Sequence, residues 1–395
     1  MADNKIMEDA CALCGGCPLR SMAENEYRRN KADNFARTLA MVRNAAPLFD
    51  EPVFIGDGCR RRADMAFVLS GKMLKLGFNQ AGTHNLVDVW NCPMLTPGLN
   101  AFLPELRRFL LEFCQISVTV KAKRKKMQTV SLRCGSVRML QADNGMDVVL
   151  DLPAEPGLEH RLAAADFVNA VPGLLRLSWC IGGEMPETVV EKQVPELYIS
   201  GCAVAVPPGV FLQASKAAEN AMIAAVTGYA GNAGGKAADL FCGLGTFTYP
   251  LAKNRAEEII SADSAPAALK GLQNALNRNQ IHNVRIISRN LFKSPFEAED
   301  LDGVKVVVMD PPRAGAHEQC RAIAALPQCR RPEKIVFVSC NPKTFVYDAE
   351  VLINAGYVFE RVKLIDQFVY SGHQELVALF IFNPASKINL ENTKE

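Results

Sequence analysis

This sequence lacks the features that mark membrane, secreted and fibrous proteins. No segment of its 395 residues reaches the roughly 18 uninterrupted apolar residues that span a bilayer. Its first ten residues are polar, not a basic stretch followed by an apolar run. Internal repeats and low-complexity segments are also absent. With 49% hydrophobic and 22% charged residues, the composition predicts a globular, cytoplasmic protein of two or three domains with no membrane partner.

A large net charge is also missing, because 44 basic residues face 42 acidic ones and the formal charge is +2. The total therefore gives no overall case for nucleic-acid binding. However, residues 101–150 contain nine Lys or Arg and four acids, whereas residues 151–200 contain three and eight. A basic stretch thus lies within a nearly neutral chain.

Cysteine, in contrast, is abundant, with 13 in the chain. Reducing systems keep cytosolic thiols free, so this number indicates metal binding or catalysis and not a disulfide framework. Several cysteines stand singly among apolar residues, where a thiol packs as a small hydrophobic group. We expect these to lie in the core: Cys114, Cys180, Cys202, Cys320 and Cys329.

From Lys236 onward, short apolar runs of strand length alternate with stretches at helical spacing. Several runs are rich in Val and Ile, as buried parallel strands are; they are KAADLF, EEIISAD, NVRIIS, VKVVVMD, KIVFVSC, VKLIDQF and ELVALFIF. This alternation predicts an α/β domain with a doubly wound, Rossmann-like sheet. Only a short polar turn separates the last two runs, so we expect an antiparallel hairpin at the sheet edge. That ending is typical of methyltransferases and not of dehydrogenases.

The half of the chain before Val206 has a different pattern. Runs such as MAFVLSGKMLKLGFN and MDVVLDL alternate apolar and polar residues in part, as strands with one buried face do. Helices are predicted only over residues 22–42, 99–113 and 161–171. We therefore predict two domains, a β-rich one over residues 1–205 and the α/β one over residues 206–395.

A glycine-containing turn follows the first α/β strand, in Asp239-Leu-Phe-Cys-Gly243-Leu-Gly245. Glycines at this place let the backbone turn tightly toward a ligand, and the following helix offers free amide donors. Asp263 ends the second strand, where a carboxylate can accept hydrogen bonds from both ribose hydroxyls of a nucleoside cofactor. Because the GxGxxG of dinucleotide sites is absent, this order favours S-adenosyl-methionine.

A thiol and a carboxylate lie at two further strand ends. Cys340 ends the run KIVFVSC, and Glu375 begins the last run. A thiolate that adds to carbon 6 of uracil makes carbon 5 nucleophilic enough to attack a methyl group. A base must then remove the hydrogen from carbon 5. A single strand-end cysteine is more often structural, and a single Glu beside a His usually lies on the surface, but both at one sheet edge favour this chemistry.

Four motifs in the α/β half together resemble the RNA uracil-5-methyltransferase family: DLFCGLGTFTYPLA, DPPRAG at residues 310–315, VSCNPKTF and HQE. The resemblance covers the whole catalytic half and implies that Cys340 is the nucleophile and Glu375 the base. It also implies S-adenosyl-methionine as cofactor, because the segment FLQAS at residues 211–215 is similar to the family's F-x-Q-x-N. The implied cofactor contacts are Gln213, Phe241, Asp263 and Asp310.

The sequence departs from the family pattern without losing a reacting group: Ser215 stands for Asn, Asp263 for Glu, Thr246 for Asn and Tyr370 for His. Arg313 follows D-P-P, where enzymes that methylate exocyclic amines resemble one another in a stacking aromatic residue. The Pro-Cys dipeptide expected of cytosine-5 enzymes does not occur before Cys340. Both observations favour carbon 5 of uracil as the target.

Three cysteines crowd the N-terminus in Cys11-Ala-Leu-Cys14-Gly-Gly-Cys17-Pro. Thiolates this close resemble the ligands of a ferredoxin-type cluster more than those of zinc, the alternative metal. We expect a [4Fe–4S] cluster with Cys92 as fourth ligand, because iron–sulfur members of the family likewise bring a remote Cys-Pro to a CGGC-type motif. Cys59 is the alternative ligand. Uracil methylation involves no electron transfer, so a structural role is expected for the cluster.

Basic groups at residues 60–62 and 121–126 are the densest in the chain, and beside a base-modifying site they predict phosphate contacts with RNA. The target uridine must leave its stack to reach Cys340, so we expect it to be flipped out of a looped or locally unfolded RNA.

The substrate is expected to be 23S rRNA. The cluster, and a segment before Cys11 with no room for an appended small β-barrel, resemble the shorter 23S rRNA enzymes of the family. A tRNA substrate stays open. So does a non-catalytic iron–sulfur protein that binds or chaperones RNA, although Cys340 and Glu375 argue against it. We expect no obligate protein partner.

Overall fold

The computed structural model describes residues 11–121, 127–232, 234–254 and 257–384. The chain forms two compact units that interleave along the sequence. The first contains the residues up to Ser21, Gly56–Tyr198 and Ala205–Lys216, and the second contains Met22–Ile55, Ile199–Val204 and the residues from Ala217 onward. The division differs from a single boundary at 205/206 because residues 22–55 and 199–204 group with the α/β unit, whereas residues 205–216 group with the first unit.

The helices of the described ranges are α1 (Glu24–Leu39), α2 (Pro97–Phe113), α3 (Leu158–Ala170), α4 (Lys216–Ala230), α5 (Thr248–Asn254), α6 (Pro266–Arg278), α7 (His317–Ala325) and α8 (Pro342–Asn354). None of the helices in this part of the chain is long and apolar enough to cross a membrane.

The strands fall into two larger sheets and two hairpins. The strands up to residue 205 are β1 (Leu48–Phe54), β2 (Arg62–Ser70), β3 (Met73–Asn79), β4 (Leu86–Asp88), β5 (Ser117–Lys121), β6 (Met127–Ser131), β7 (Cys134–Gln141), β8 (Met146–Leu152), β9 (Leu174–Ile181), β10 (Glu187–Glu191), β11 (Glu196–Ile199) and β12 (Cys202–Ala205). The later ones are β13 (Lys236–Leu240), β14 (Ile259–Asp263), β15 (Val284–Ser288), β16 (Val304–Met309), β17 (Lys334–Ser339), β18 (Tyr357–Asp366) and β19 (Glu375–Phe382).

A seven-stranded sheet in the order β10-β9-β8-β7-β2-β3-β4 forms the centre of the first unit. Its neighbours pair antiparallel except β8 and β9, which run parallel and are joined through α3. The pairs β5–β6 and β11–β12 form the hairpins. The predicted β-rich half is confirmed. Strand β9 had no alternating signal because nearly all its side chains are buried.

An eight-stranded sheet in the order β1-β18-β19-β17-β16-β13-β14-β15 forms the second unit. Strands β13 to β17 run parallel, whereas β19 pairs antiparallel with both β17 and β18. The predicted doubly wound sheet and its terminal hairpin are confirmed. The strand order reverses between β13 and β16, and open α/β sheets bind ligands at the carboxyl ends of strands at such a point.

The prediction that the hairpin forms the sheet edge is wrong. Strand β1 pairs in parallel with β18, with Leu48 opposite Arg361, and takes the edge position instead. Pro52 interrupts this strand, and the pairing register shifts between Asp50 and Val53. Proline is tolerated in edge strands because its missing amide donor can face away from the sheet. It also explains why the sequence pattern did not predict a strand here.

Helix α1 places one regular face in the core of the second unit. Its buried residues Tyr27, Lys31, Phe35 and Leu39 are spaced four apart, so their side chains lie one above another along the helix. Phe35 and Leu39 join the apolar cluster that also contains Phe345 of α8. Lys31 is buried in the same face although a buried charge needs a partner.

The singly placed cysteines mostly pack as predicted. Cys114, Cys180, Cys202 and Cys320 are buried. The prediction for Cys329 is wrong because this residue is exposed, within a short 3-10 turn over Gln328–Arg330.

Candidate active site

The turn after β13 contains one residue in a strained backbone conformation and one glycine with open space beside it. Phe241 has a φ of 62°, which is strained for a residue with a side chain. Its ring packs against Phe292 at a centroid distance of 5.5 Å. A Cβ at Gly243 would meet no atom within 4 Å, whereas a Cβ at Gly245 would lie 2.6 Å from Leu272. Gly245 therefore closes the turn against α6, and Gly243 leaves room beside it for a ligand.

Asp263, at the end of β14, is fixed by backbone amides. The Gly243 amide donates to its Oδ2 at 2.9 Å, and the Ala265 amide donates to its Oδ1 at 2.8 Å. Each carboxylate oxygen can accept a second hydrogen bond. The structure thus brings Asp263 to the glycine turn, and its contact with a ribose stays a prediction.

Two further acids lie on the neighbouring strands: Asp239 is within β13, and Asp310 directly follows β16. Asp239 is fully buried and accepts a 2.6 Å hydrogen bond from Thr248. Burial raises the pKa of Asp239 to about 7, and the charges of Asp310 and Asp263 add to the rise. Burial likewise raises the pKa of Asp310 to about 7. Because crowded carboxylates disfavour one another's ionisation, this edge of the sheet favours a positively charged ligand.

Cys340 and Glu375 meet because β17 and β19 run antiparallel. Ser339, the last residue of β17, lies opposite Leu376 of β19. Cys340 directly follows Ser339, and Glu375 directly precedes Leu376. Both residues therefore lie at the edge of the sheet where β13 and β16 also end. The sequence-predicted nucleophile and base therefore share one site in the structure.

Cys340 is half-buried, and its environment keeps the thiol protonated. Burial raises its pKa to about 11, and the carboxylates of Glu375 and Asp310 add to the rise. The guanidinium of Arg313 acts in the opposite direction. The thiol therefore needs further positive charge or a proton acceptor nearby before it reacts as a thiolate.

Glu375 is buried, with 4% of its surface exposed. Burial raises its pKa to about 8, and the charge of Asp310 contributes to the rise. Gln367, the residue after β18, donates a 2.9 Å hydrogen bond from Nε2 to Oε1 of Glu375. A carboxylate that exchanges its proton near neutral pH and is held in one position has the properties of a general base.

Sequence reasoning did not predict that Arg313, His373 and Gln367 lie around Cys340 and Glu375. The guanidinium of Arg313 lowers the pKa of both Cys340 and Glu375, and its Nη2 lies 3.2 Å from Nδ1 of His373. We interpreted Arg313 only as a residue that separates methyltransferase classes. A signal for Gln367 was present, because two polar residues, Asp366 and Gln367, directly follow an apolar run.

Gln213 lies in the first unit, in the segment that leads into α4. It is buried, and its carbonyl accepts a 3.2 Å hydrogen bond from Nε of Arg61. The Arg62 guanidinium donates to the Leu212 carbonyl at 3.1 Å. Two side chains of the basic group at residues 60–62 therefore hold the backbone of the FLQAS segment. The contact of Gln213 with a cofactor stays a prediction.

The expectation that residues 60–62 form a phosphate-binding group needs correction. Arg61 is only 4% exposed, so its charge is turned inward. Arg62 is half-buried and lies 5.1 Å from the ring of Phe211, which is 68% exposed. The second predicted basic group, residues 121–126, lies outside the described residues except for Lys121.

The thiols of the N-terminal motif lie within electrostatic reach of Cys92. Burial raises the pKa of Cys17 to about 11, and the charges of Cys92 and Cys14 contribute. Burial also raises the pKa of Cys92, with contributions from Cys11 and Cys14. The Gly16 amide donates to Sγ of Cys14 at 3.4 Å. The four predicted ligands therefore belong to one neighbourhood.

Cys59, the alternative ligand, uses its thiol differently. Its Sγ donates to the Asp57 carbonyl at 3.4 Å. Cys92, in contrast, is held by Asn100 of α2, which accepts from the Cys92 amide and donates to its carbonyl, both at 2.9 Å. The backbone amides of Met94 and Leu95 partly offset the effect of burial on the pKa of Cys92, and the Leu95 amide donates to the Cys92 carbonyl at 3.0 Å. An amide donor to sulfur, as Gly16 provides to Cys14, is typical of thiolates that ligate iron–sulfur clusters.

A formed metal site is nevertheless not found. Within the described ranges, no group of three or more His, Cys, Asp or Glu side chains is arranged to hold a metal ion. In a tetrahedral zinc site the thiolates would lie about 3.8 Å apart, given a Zn–S distance of about 2.3 Å. The structure therefore does not show the predicted iron–sulfur domain, although the four thiols are the donor set that a cluster requires.

Comparison with known proteins gives consistent matches. A family model described as tRNA (Uracil-5-)-methyltransferase matches residues 203–381. An uncharacterized RNA methyltransferase of Agrobacterium fabrum is 33% identical over 367 residues, which cover 93% of this chain and 82% of that protein. The 23S rRNA (uracil(1939)-C(5))-methyltransferase RlmD of Yersinia enterocolitica is 32% identical over 397 residues, covering 96% and 83%.

The solved structures support the same fold. The crystal structure of Pyrococcus abyssi tRNA (uracil-54, C5)-methyltransferase in complex with S-adenosyl-L-homocysteine superposes with a TM-score of 0.68, covering 93% of this chain and 86% of that one. At 20% identity, this similarity shows the fold alone. With the curated relatives and the family model, it leads to one assignment: the chain belongs to the RNA uracil-5-methyltransferase family, whose members are S-adenosyl-methionine-dependent enzymes that act on RNA.

Proposed function

We propose that this protein methylates carbon 5 of a flipped-out uridine in 23S rRNA through a covalent bond between Cys340 and carbon 6 of the base. The observation that carries the proposal is the meeting of Cys340 and Glu375 at the ligand-binding edge of the α/β sheet. A non-catalytic RNA-binding protein would have no need for a buried carboxylate with a raised pKa beside a thiol.

Cys340 acts as the nucleophile. Its sulfur bonds to carbon 6 while the electrons of the carbon 5–carbon 6 double bond move toward carbon 5 and the carbonyl at carbon 4. Arg313 favours the thiolate because its positive charge lowers the pKa of Cys340. The thiol proton passes to water, which leaves the carboxylate of Glu375 able to accept the proton from carbon 5 later in the reaction.

Glu375 acts as the base after methyl transfer. It removes the hydrogen from carbon 5, the double bond forms again, and the bond between sulfur and carbon 6 breaks, which returns the thiolate. A pKa of about 8 suits this role because the group can both take up and release a proton near neutral pH. The hydrogen bond from Gln367 keeps one carboxylate oxygen in a fixed place.

The cofactor site lies at the turn after β13. Bound S-adenosyl-methionine supplies an electrophilic methyl group on a positively charged sulfur. The open space beside Gly243 and the crowded carboxylates of Asp239, Asp263 and Asp310 fit a cationic ligand of this kind. Asp263 would hold the ribose, Phe241 would pack against the ligand, and Gln213 would be a further contact. A cation here also favours ionisation of Cys340 and Glu375.

RNA is the substrate, and 23S rRNA is the proposed one. The support is the relative RlmD, which is 32% identical and is named for uracil in 23S rRNA. The exposed ring of Phe211 beside Arg62 resembles the aromatic and cationic surfaces that bind single-stranded nucleic acid. The matching family model and the archaeal structure are named for tRNA, so tRNA is the alternative substrate.

We also propose that Cys11, Cys14, Cys17 and Cys92 hold a [4Fe–4S] cluster with a structural role. The donor set and the amide hydrogen bond to the Cys14 sulfur fit such a cluster. It would stabilise the chain around Cys92 and the start of α2, where Asn100 already fixes the Cys92 backbone.

Trapping with RNA that contains 5-fluorouridine tests the nucleophile. Fluorine cannot leave carbon 5 as a proton, so the reaction stops at the covalent adduct. Wild-type protein with S-adenosyl-methionine should form an RNA adduct that survives denaturing electrophoresis, and Cys340→Ser should form none. Cys329→Ser changes an exposed cysteine elsewhere and should react as wild type. An adduct in Cys340→Ser would contradict the assignment.

Mapping of 5-methyluridine in RNA from a strain without the gene tests the substrate. One position in 23S rRNA should lose its methyl group, and the modified uridines of tRNA should stay unchanged. The wild-type gene should restore the modification, and the Cys340→Ser gene should not. Loss from tRNA alone would establish the alternative substrate and refute 23S rRNA.

Analysis of iron, sulfide and zinc in protein purified without oxygen tests the cluster. Wild-type protein should contain about four iron and four sulfide per chain and absorb visible light. Cys92→Ser should lose most of the iron and unfold at a lower temperature. Cys59→Ser is the matched control and should keep both. One zinc per chain without sulfide would contradict the cluster assignment.

A further inference from the structure

The buried face of α1 carries an ion pair that the methylation chemistry does not use. Lys31 Nζ lies 2.7 Å from Oδ1 of Asp366, and the two side chains are 2% and 0% exposed. The hydroxyl of Tyr27 donates to Oδ2 of the same carboxylate at 2.5 Å. Asp366 is the last residue of β18, so α1 is tied to the end of this strand.

The same two side chains also hold the loop that follows β18. Lys31 Nζ donates to the Ser371 carbonyl at 2.8 Å and to the Phe368 carbonyl at 3.4 Å. The Tyr370 amide donates to the Tyr27 hydroxyl at 2.9 Å. Tyr370 has a φ of 58°, a strained backbone conformation that persists only where surrounding contacts enforce it.

The loop ends directly on the base. It runs from Gln367 to Gln374, and Glu375 follows. Near its C-terminal end, Gln374 donates from Nε2 to the Lys31 carbonyl at 3.3 Å. At its start, Gln367 donates to Glu375. Both ends of the loop therefore determine where the carboxylate of Glu375 lies, and α1 contacts the loop at its middle and its end.

Stability alone does not account for this arrangement. Burying two charges costs about as much free energy as their attraction returns, and apolar replacements of whole buried pairs are often neutral or stabilising. The Phe35 and Leu39 side chains already anchor α1 in the core. A lysine that reaches two loop carbonyls as well as a carboxylate has contacts that an apolar residue cannot reproduce.

We propose that Lys31 and Tyr27 are positioning residues for Glu375, acting through Asp366 and the loop Gln367–Gln374. The inference rests on the proposed function, since it assigns Glu375 the removal of the hydrogen from carbon 5. Loss of these contacts of Lys31 and Tyr27 should slow that proton abstraction while leaving the earlier attack of Cys340 on carbon 6 nearly unchanged.

The test compares Lys31→Met with Arg29→Met in the full-length protein. Arg29 lies on the exposed side of the same helix, so its replacement removes the same charge without touching the loop. Turnover on RNA with ordinary uridine should fall about 10- to 100-fold in Lys31→Met, because small misplacements of a catalytic group cost rates of this order. Adduct formation with 5-fluorouridine RNA should stay within about twofold of wild type.

A deuterium isotope effect separates positioning from a general loss of structure. With uridine deuterated at carbon 5, turnover of Lys31→Met should show a larger isotope effect than wild type or Arg29→Met, because proton abstraction becomes the slow step. Tyr27→Phe should show the same change to a smaller extent. Equal losses in adduct formation and turnover, with an unchanged isotope effect, would overturn the proposal.

The double variant Lys31→Met/Asp366→Asn guards against destabilisation by an unpaired charge. It leaves no buried carboxylate without its partner, so its melting temperature should recover relative to Lys31→Met. Its turnover should stay low because the side chain at position 31 still has no donor for the loop carbonyls. Recovery of turnover would refute the proposal. Failure of the proposed function would differ, because wild-type protein itself would then form neither an adduct nor 5-methyluridine.

Discussion

The antiparallel pairing of β19 with β17 is the constraint on which the site depends. Parallel strands place their carboxyl ends together, but a strand that runs the other way brings its first residue to that edge. Glu375 therefore starts β19 at the edge where Cys340 directly follows the end of β17. A parallel last strand would move the carboxylate to the far edge of the sheet, away from the thiol. The proposed nucleophile and the proposed base come together through topology before any local interaction refines their positions.

Charge then decides how the site works. Burial raises the pKa values of Asp239, Asp310 and Glu375, and the charge of Asp310 adds to the rise for Asp239 and Glu375. The positive charge of Arg313, in the same unit, lowers the pKa of both Cys340 and Glu375. A positively charged ligand at this site would favour the ionised forms of these carboxyl groups and of Cys340. Ligand binding and activation of the thiol are therefore linked by the same electrostatics.

The sequence predicts the parts of the fold that repeat a periodic pattern. Strand and helix alternation from Lys236 and the polar residues at strand ends were sufficient to place Cys340 and Glu375 at one edge. Strand β1 was missed because Pro52 breaks its pattern, and only pairing with β18 makes it a strand. Lys31 was unpredictable in another way. A lysine on a predicted helix is expected to be exposed to solvent. The burial of Lys31 depends on Asp366, which lies more than 300 residues later in the chain.

The most direct measurement of the central claim is the fate of Glu375→Gln on RNA with ordinary uridine. The variant keeps the shape of the side chain but cannot accept the proton from carbon 5. The account predicts that a covalent adduct carrying the new methyl group accumulates on Cys340, with turnover reduced about 10²- to 10⁴-fold. Turnover near that of wild type would contradict the role of Glu375, and slow turnover without any adduct would contradict the order of steps.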